Sequence, residues 1–155
     1  TGLDFTDEMI EKAKQNALKL GFTNVDFVYG DIEDMPLPEN SFDVVVSNCV
    51  LNLVPDKSKA FSQIIKVLKS GGHFCVSDVV LKGELTESAR KDAELYAGCV
   101  SGALKMSEYL SIIEKAGFTN ITIHKERRIE LPDGIIASEN NENGIFSITV
   151  SGYKI

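Results

Sequence analysis

Asp4, Asp31, Asn48, Cys49 and Asp78 are polar residues placed where a chain of alternating strands and helices would meet a ligand. Asp4 could accept two hydrogen bonds from the vicinal hydroxyls of a ribose, as an acid at a strand end does in nucleotide-binding sheets; it could equally cap the helix that follows. Asp31 could accept a hydrogen bond from an adenine amino group, with the Ile32 backbone beside it; the competing assignment is an Asx turn after a strand. Phe5 or Met9 could cover an adenine face or join the core. Cys49 and Cys99 are thiols that only a fold could bring together, and free cysteine is also a common small core residue. Cys75 falls mid-strand and is expected in the core. His73 and His124 sit in or beside strands with no acid at triad spacing, so neither is expected to be a catalyst. No Cys-x-x-Cys or His-x-x-x-His metal spacing occurs.

These positions acquire meaning from the elements around them. Thr1–Asp4 reads as the last residues of a strand. Thr6 is a plausible N-cap, with Asp7 and Glu8 in the first turn. Met9, Ile10, Ala13, Ala17, Leu18 and Leu20 recur at helical spacing up to a stop at Gly21. Strands are expected over Val25–Tyr29, Phe42–Ser47, His73–Val80, Ile121–Arg128 and Ile145–Tyr153. The nearly continuous apolar Phe42–Ser47 suggests a strand covered on both faces. Helices are expected over Asp56–Lys69, Thr86–Ala97 and Ser107–Lys115, and Gly71-Gly72 reads as the stop of the first of these rather than as a phosphate cradle. Pro132–Asn143 is polar and rich in Gly and Asn, a long hairpin loop. Strands separated by helices imply an α/β fold with a mostly parallel sheet and an antiparallel addition at one edge. In such sheets ligands bind beyond the carboxyl ends of the strands. Asp4, Asp31, Asn48–Cys49 and Asp78 mark four of those ends.

The 155 residues suit one domain. Hydrophobic residues at 43% and charged residues at 25% argue against disorder and coiled coil. A net charge of -7 disfavours a nucleic-acid partner, which would call for a basic face. No apolar run approaches the ~20 residues of a membrane-spanning helix. Three cysteines do not make a disulfide scaffold, no signal peptide opens the chain, and a reducing, cytoplasmic setting is expected.

The segment Gly30–Val45, reading GDIEDMPLPENSFDVV, and the turn Val67–Gly72, reading VLKSGG, resemble the acidic loop with its following strand and the "LKPGG" turn of class I S-adenosylmethionine-dependent methyltransferases. The segments Ser47–Leu53 (SNCVLNL) and Tyr96–Leu104 (YAGCVSGAL) resemble arsenite methyltransferases in particular. That resemblance implies a Rossmann-like sheet of order 3-2-1-4-5-7-6 with strand 7 antiparallel, and S-adenosylmethionine as cofactor. It implies Asp4 on the ribose, Asp31 and Ile32 at the adenine, and Asn48 near the methionine part, with Phe5 kept from its position as a candidate for the adenine face. It implies Cys49 and Cys99 as arsenic ligands. The glycine-rich loop of the first strand, and a third arsenic-binding cysteine of that family, have no counterpart here. Residues 1–155 are therefore expected to form a partial methyltransferase domain running from the end of strand 2 to strand 7. Such a chain is expected to be inactive alone and open to self-association through the gap between strands 2 and 4.

The chemistry agrees with the resemblance. Trivalent arsenic is soft and prefers thiolates. Held by them it keeps a lone pair that can attack a sulfonium methyl in line, so no general base is required. Positioning and exclusion of water would then be the protein's work. Two alternatives stand beside this one: a methyltransferase for a small organic substrate of quinone or sterol type, and a non-catalytic module that keeps the fold alone.

Overall fold

The computed structural model describes residues 1–84, 86–87, 102–130 and 143–155. The expected helix over Thr86–Ala97, apart from its first two residues, and the loop over Pro132–Asn143, apart from its last, lie outside the described residues, as does Cys99.

The strands are β1 (Gly2–Asp4), β2 (Phe27–Tyr29), β3 (Phe42–Asn48), β4 (Leu68–Lys82), β5 (Thr119–Ile129) and β6 (Gly144–Tyr153). The helices are α1 (Asp7–Leu20), α2 (Lys57–Val67) and α3 (Met106–Lys115), with a 3-10 turn at Leu51–Leu53. β1 and β2 form a parallel pair. The remaining strands form one sheet in the order β3-β4-β6-β5, with β3 parallel to β4 and β6 antiparallel to both its neighbours. This is the expected Rossmann-like order with no strand at position 1 among the described residues: β1 and β3 do not pair with each other.

The core lies on one face of the larger sheet. Phe74, Val76 and Val80 point from β4 toward α2 and α3, and are buried with Phe61, Ile64, Tyr109 and Ile113. Phe61 makes edge-on contacts with Phe74, Tyr109 and Phe118 at 5.5–6.4 Å between ring centres, the arrangement that ring quadrupoles favour. Of the apolar residues at helical spacing in this segment, Ala60, Phe61, Ile64, Ile65, Val67 and Leu68, four (Ala60, Phe61, Ile64 and Val67) are buried on α2, Ile65 is half-buried, and Leu68 already belongs to β4. Gly21 ends α1 at φ 73°, a left-handed C-cap.

Four expectations need correction. Gly71-Gly72 does not end α2. The helix stops at Val67, and the Lys154 ammonium collects the carbonyls of Ile65 (2.8 Å) and Leu68 (2.7 Å). Both glycines lie inside β4, where Gly71 takes φ 79° and exchanges backbone bonds with Lys154 alongside Gly72. β3 is not covered on both faces, since Val44 and Val46 are 46% and 75% exposed. Cys75 is half-buried on that same less covered face, because neighbouring β4 residues alternate and Phe74 and Val76 take the core side. Thr6 makes no side-chain cap to α1, because its hydroxyl donates to Asp4 instead (2.8 Å). In α1 only Ile10 is buried, and Leu18 is 84% exposed.

Candidate functional site

At the end of β1, Asp4 Oδ1 accepts from the Thr6 N–H (2.9 Å) and hydroxyl (2.8 Å). Its backbone carbonyl accepts from Gly30, the residue after β2 (2.9 Å). These bonds fix the carboxylate at the strand end and leave Oδ2 without a partner among the described residues. Phe5 and Met9 beside it are 68% and 51% exposed. Past β2, Asp31 forms the Asx turn weighed from sequence: Oδ1 accepts from the Glu33 N–H at 2.8 Å. Ile32 is partly buried against the core.

β3 ends at Asn48, paired with Ser77 of β4. Cys49 follows at φ 54°, a left-handed conformation that a non-glycine residue adopts at a cost of roughly 1–3 kcal/mol. Its N–H donates to Ser77 O at 2.8 Å, and the residue is exposed. The chain then makes the 3-10 turn and delivers Asn52 back to the sheet. Asn52 Nδ2 donates to Val79 O (2.7 Å), and Val79 N–H donates to Asn52 Oδ1 (3.0 Å). Lys57 Nζ donates to the carbonyls of Val54 (3.1 Å) and Asn52 (3.4 Å).

Asp78 sits beneath this turn, 1% exposed. The Tyr109 hydroxyl donates to its Oδ2 at 2.9 Å, whereas Oδ1 has no hydrogen-bond partner among the described residues. Burial pushes the Asp78 carboxyl up to about 6; the Tyr109 bond, the neighbouring N–H groups and the Lys57 cation restrain the rise. Burial also lowers Lys57, against the pull of Asp78 and Glu108. Tyr109 is held well above the usual phenol range by burial and by the facing Asp78 carboxylate, with Cys49 adding to the push.

His73 stacks on Tyr153, and His124 Nε2 shares a 2.7 Å bond with Ser151 Oγ. No carboxylate bonds either ring among the described residues. No group of three or more metal-ligating side chains occurs among the described residues.

A family model described as a methyltransferase domain matches residues 1–117, from β1 to the end of α3. The chain belongs to that family. An arsenite methyltransferase from Aquipseudomonas alcaligenes is 34% identical over 161 aligned positions, covering 99% of this chain and 46% of that protein. One from Halobacterium salinarum is 38% identical over 122 positions, covering 79% of this chain and 31% of the relative. The crystal structure of an arsenic(III) S-adenosylmethionine methyltransferase from Chlamydomonas reinhardtii superposes with a TM-score of 0.83 at 33% identity. It covers 99% of this chain and 55% of that one. The methyltransferase domain described here thus spans less than half the length of those two curated relatives.

Within this methyltransferase domain, Asp4, Asp31, Asn48 and Cys49 all lie at or just past carboxyl ends of strands, as the sequence implied, whereas Asp78, expected at a fourth end, lies inside β4, which continues to Lys82 in its pairing with β6. Sequence reasoning missed Asn52, Lys57 and Tyr109. Two of them had a signal: Asn52 interrupts the apolar run Val50–Val54, and Tyr109 falls on the apolar stripe of α3; Lys57 had none.

Proposed function

We propose that the protein transfers a methyl group from S-adenosylmethionine to trivalent arsenic held by Cys49 and Cys99. The observation that carries this reading is the presentation of Cys49. It is an exposed thiol just past a strand's carboxyl end, on a left-handed backbone, pinned to Ser77. Gly102 lies against the same turn: a Cβ there would overlap the Asn52 carbonyl oxygen. Cys99 precedes Gly102 by three residues, a chain length that spans at most ~11 Å. The similarity to arsenite methyltransferases supports the same substrate.

The residues at the strand ends fit the cofactor. Asp4 Oδ2 is available to the ribose hydroxyls while Thr6 holds Oδ1. Phe5 offers an exposed ring for the adenine face, with Asp31 and Ile32 at its edge and Asn48 toward the methionine part. When bound, the cofactor supplies an electrophilic methyl group on a sulfonium. Cys49 and Cys99 hold the arsenic as thiolates and leave its lone pair directed at that methyl. No side chain has to remove a proton at the reacting atom, in keeping with the structural roles of His73 and His124.

The test is methylation of arsenite by the full-length protein with thiol and S-adenosylmethionine. Cys49→Ser should lower the rate at least about 100-fold, roughly 3 kcal/mol of transition-state stabilisation. Undiminished arsenite methylation by that variant would remove Cys49 from the site.

A further inference from the structure

Four described polar or charged residues are buried: Asn52, Lys57, Asp78 and Ser151. Three of them form one cluster under the Cys49 turn, where a hydrophobic side chain would fill the space at lower desolvation cost. The pattern of bonds shows what the cluster holds. β3 stops pairing with β4 at Asn48 and Ser77, which leaves the next β4 groups facing that side without a strand. The Asn52 side chain takes their place, accepting from Val79 N–H and donating to Val79 O. The chain is therefore anchored to β4 on both sides of Cys49, by its own N–H to Ser77 and by the Asn52 amide to Val79. Lys57 closes the turn from below through the Asn52 carbonyl, and Gly102 abuts that carbonyl from the other side.

We infer that Asn52 is a positioning residue for Cys49: its amide acts as a surrogate strand segment that fixes the turn on which the thiol is presented to the arsenic substrate. This rests on the proposed role of Cys49. The Asn52 amide sets thiol geometry, whereas Asp4 and β2 lie on other strands and Asn48 is held by its own pairing with Ser77 of β4, so the cofactor residues keep their places.

Asn52→Asp tests this in the full-length protein. The Oδ1 acceptor survives, but an oxygen replaces the donor that faces Val79 O at 2.7 Å. The KM for arsenite should rise at least about tenfold while the KM for S-adenosylmethionine stays within about twofold. Carbamidomethylation of Cys49 by iodoacetamide, followed by mass spectrometry, should accelerate at least about fivefold as the turn is released. Ile113→Ala, a cavity in the core of α3 away from the turn, should lower Tm and leave all three measurements in place. If Asn52→Asp does not fold, Gly102→Ala presses on the same carbonyl and should give the same split. An unchanged arsenite KM, a parallel shift of both KM values, or the same changes in Ile113→Ala overturns the inference. Failure of the arsenic reading has a separate signature: the unmutated protein does not methylate arsenite, while the carbamidomethylation rates still report whether Asn52 holds Cys49.

Discussion

Burying the Asp78 carboxyl with one oxygen on Tyr109 and the other without a described partner makes its ionised form costly, and its pKa rises from 3.8 to about 6. The folded state therefore binds this proton more tightly than the unfolded chain does. The stabilisation from protonated Asp78 is fully present below about pH 3.8 and is lost as pH rises through about 6. At pH 8 the ionised carboxyl costs about 3 kcal/mol relative to its protonated form. Asp78→Asn should remove most of that cost. The Tyr109 hydroxyl can donate to the amide oxygen, so stability at pH 8 should rise by about 1–3 kcal/mol, and the Asp78 contribution to pH dependence between 4 and 7 should vanish. Urea titrations at both ends of that range measure it, and an unchanged slope would show that Asp78 does not carry it. Tyr109→Phe leaves both carboxyl oxygens without that donor and should cost about 1–3 kcal/mol at pH 8.

At the scale of elements, α2 is the piece that joins the sheet to α3, and Phe61 is its central contact. Fully buried, and edge-on to three rings, it leaves a cavity when truncated. Phe61→Ala should destabilise the domain by about 3–5 kcal/mol, read as a drop in the urea midpoint without a large change in slope. That stripe was legible in the sequence because a 3.6-residue period needs only local information. The end of the same helix was not. Gly71-Gly72 carries the usual stop signal, but the capping group is the side chain of Lys154, far away in sequence. β3 shows the same division. Its position followed from Phe42–Ser47, whereas the exposure of Val44 and Val46 depends on what packs on that face, which no local pattern encodes. At the candidate site, Asp4, Asn48 and Cys49 were legible because the carboxyl-end rule needs only the strand boundaries. Asn52 and Lys57 were not, since their burial arises from the return of the turn to β4, a contact 27 residues apart in sequence.

At the scale of the whole molecule, two features of the described chain oppose each other. A net charge of -7 keeps copies apart near neutral pH. Against it stands an unpaired edge of β3, with Val44 and Val46 exposed, and a trough of about 660 Å³ that only the first residue of that strand, Phe42, joins in lining, with Val25, Phe27 and Leu37 among others. Open edges with apolar side chains template pairing with another chain. The 155-residue chain should therefore self-associate increasingly as pH falls toward its pI of about 4.8, where charge repulsion disappears while the edge remains. Sedimentation velocity at pH 8 and pH 5.5 measures the shift. Val46→Lys puts a cation on the edge strand and should raise the monomer fraction at pH 8. Leu18→Lys makes the same change in net charge on α1, at a side chain 84% exposed, and should not raise it. Equal effects of the two substitutions would assign the association to net charge alone and remove β3 as its site.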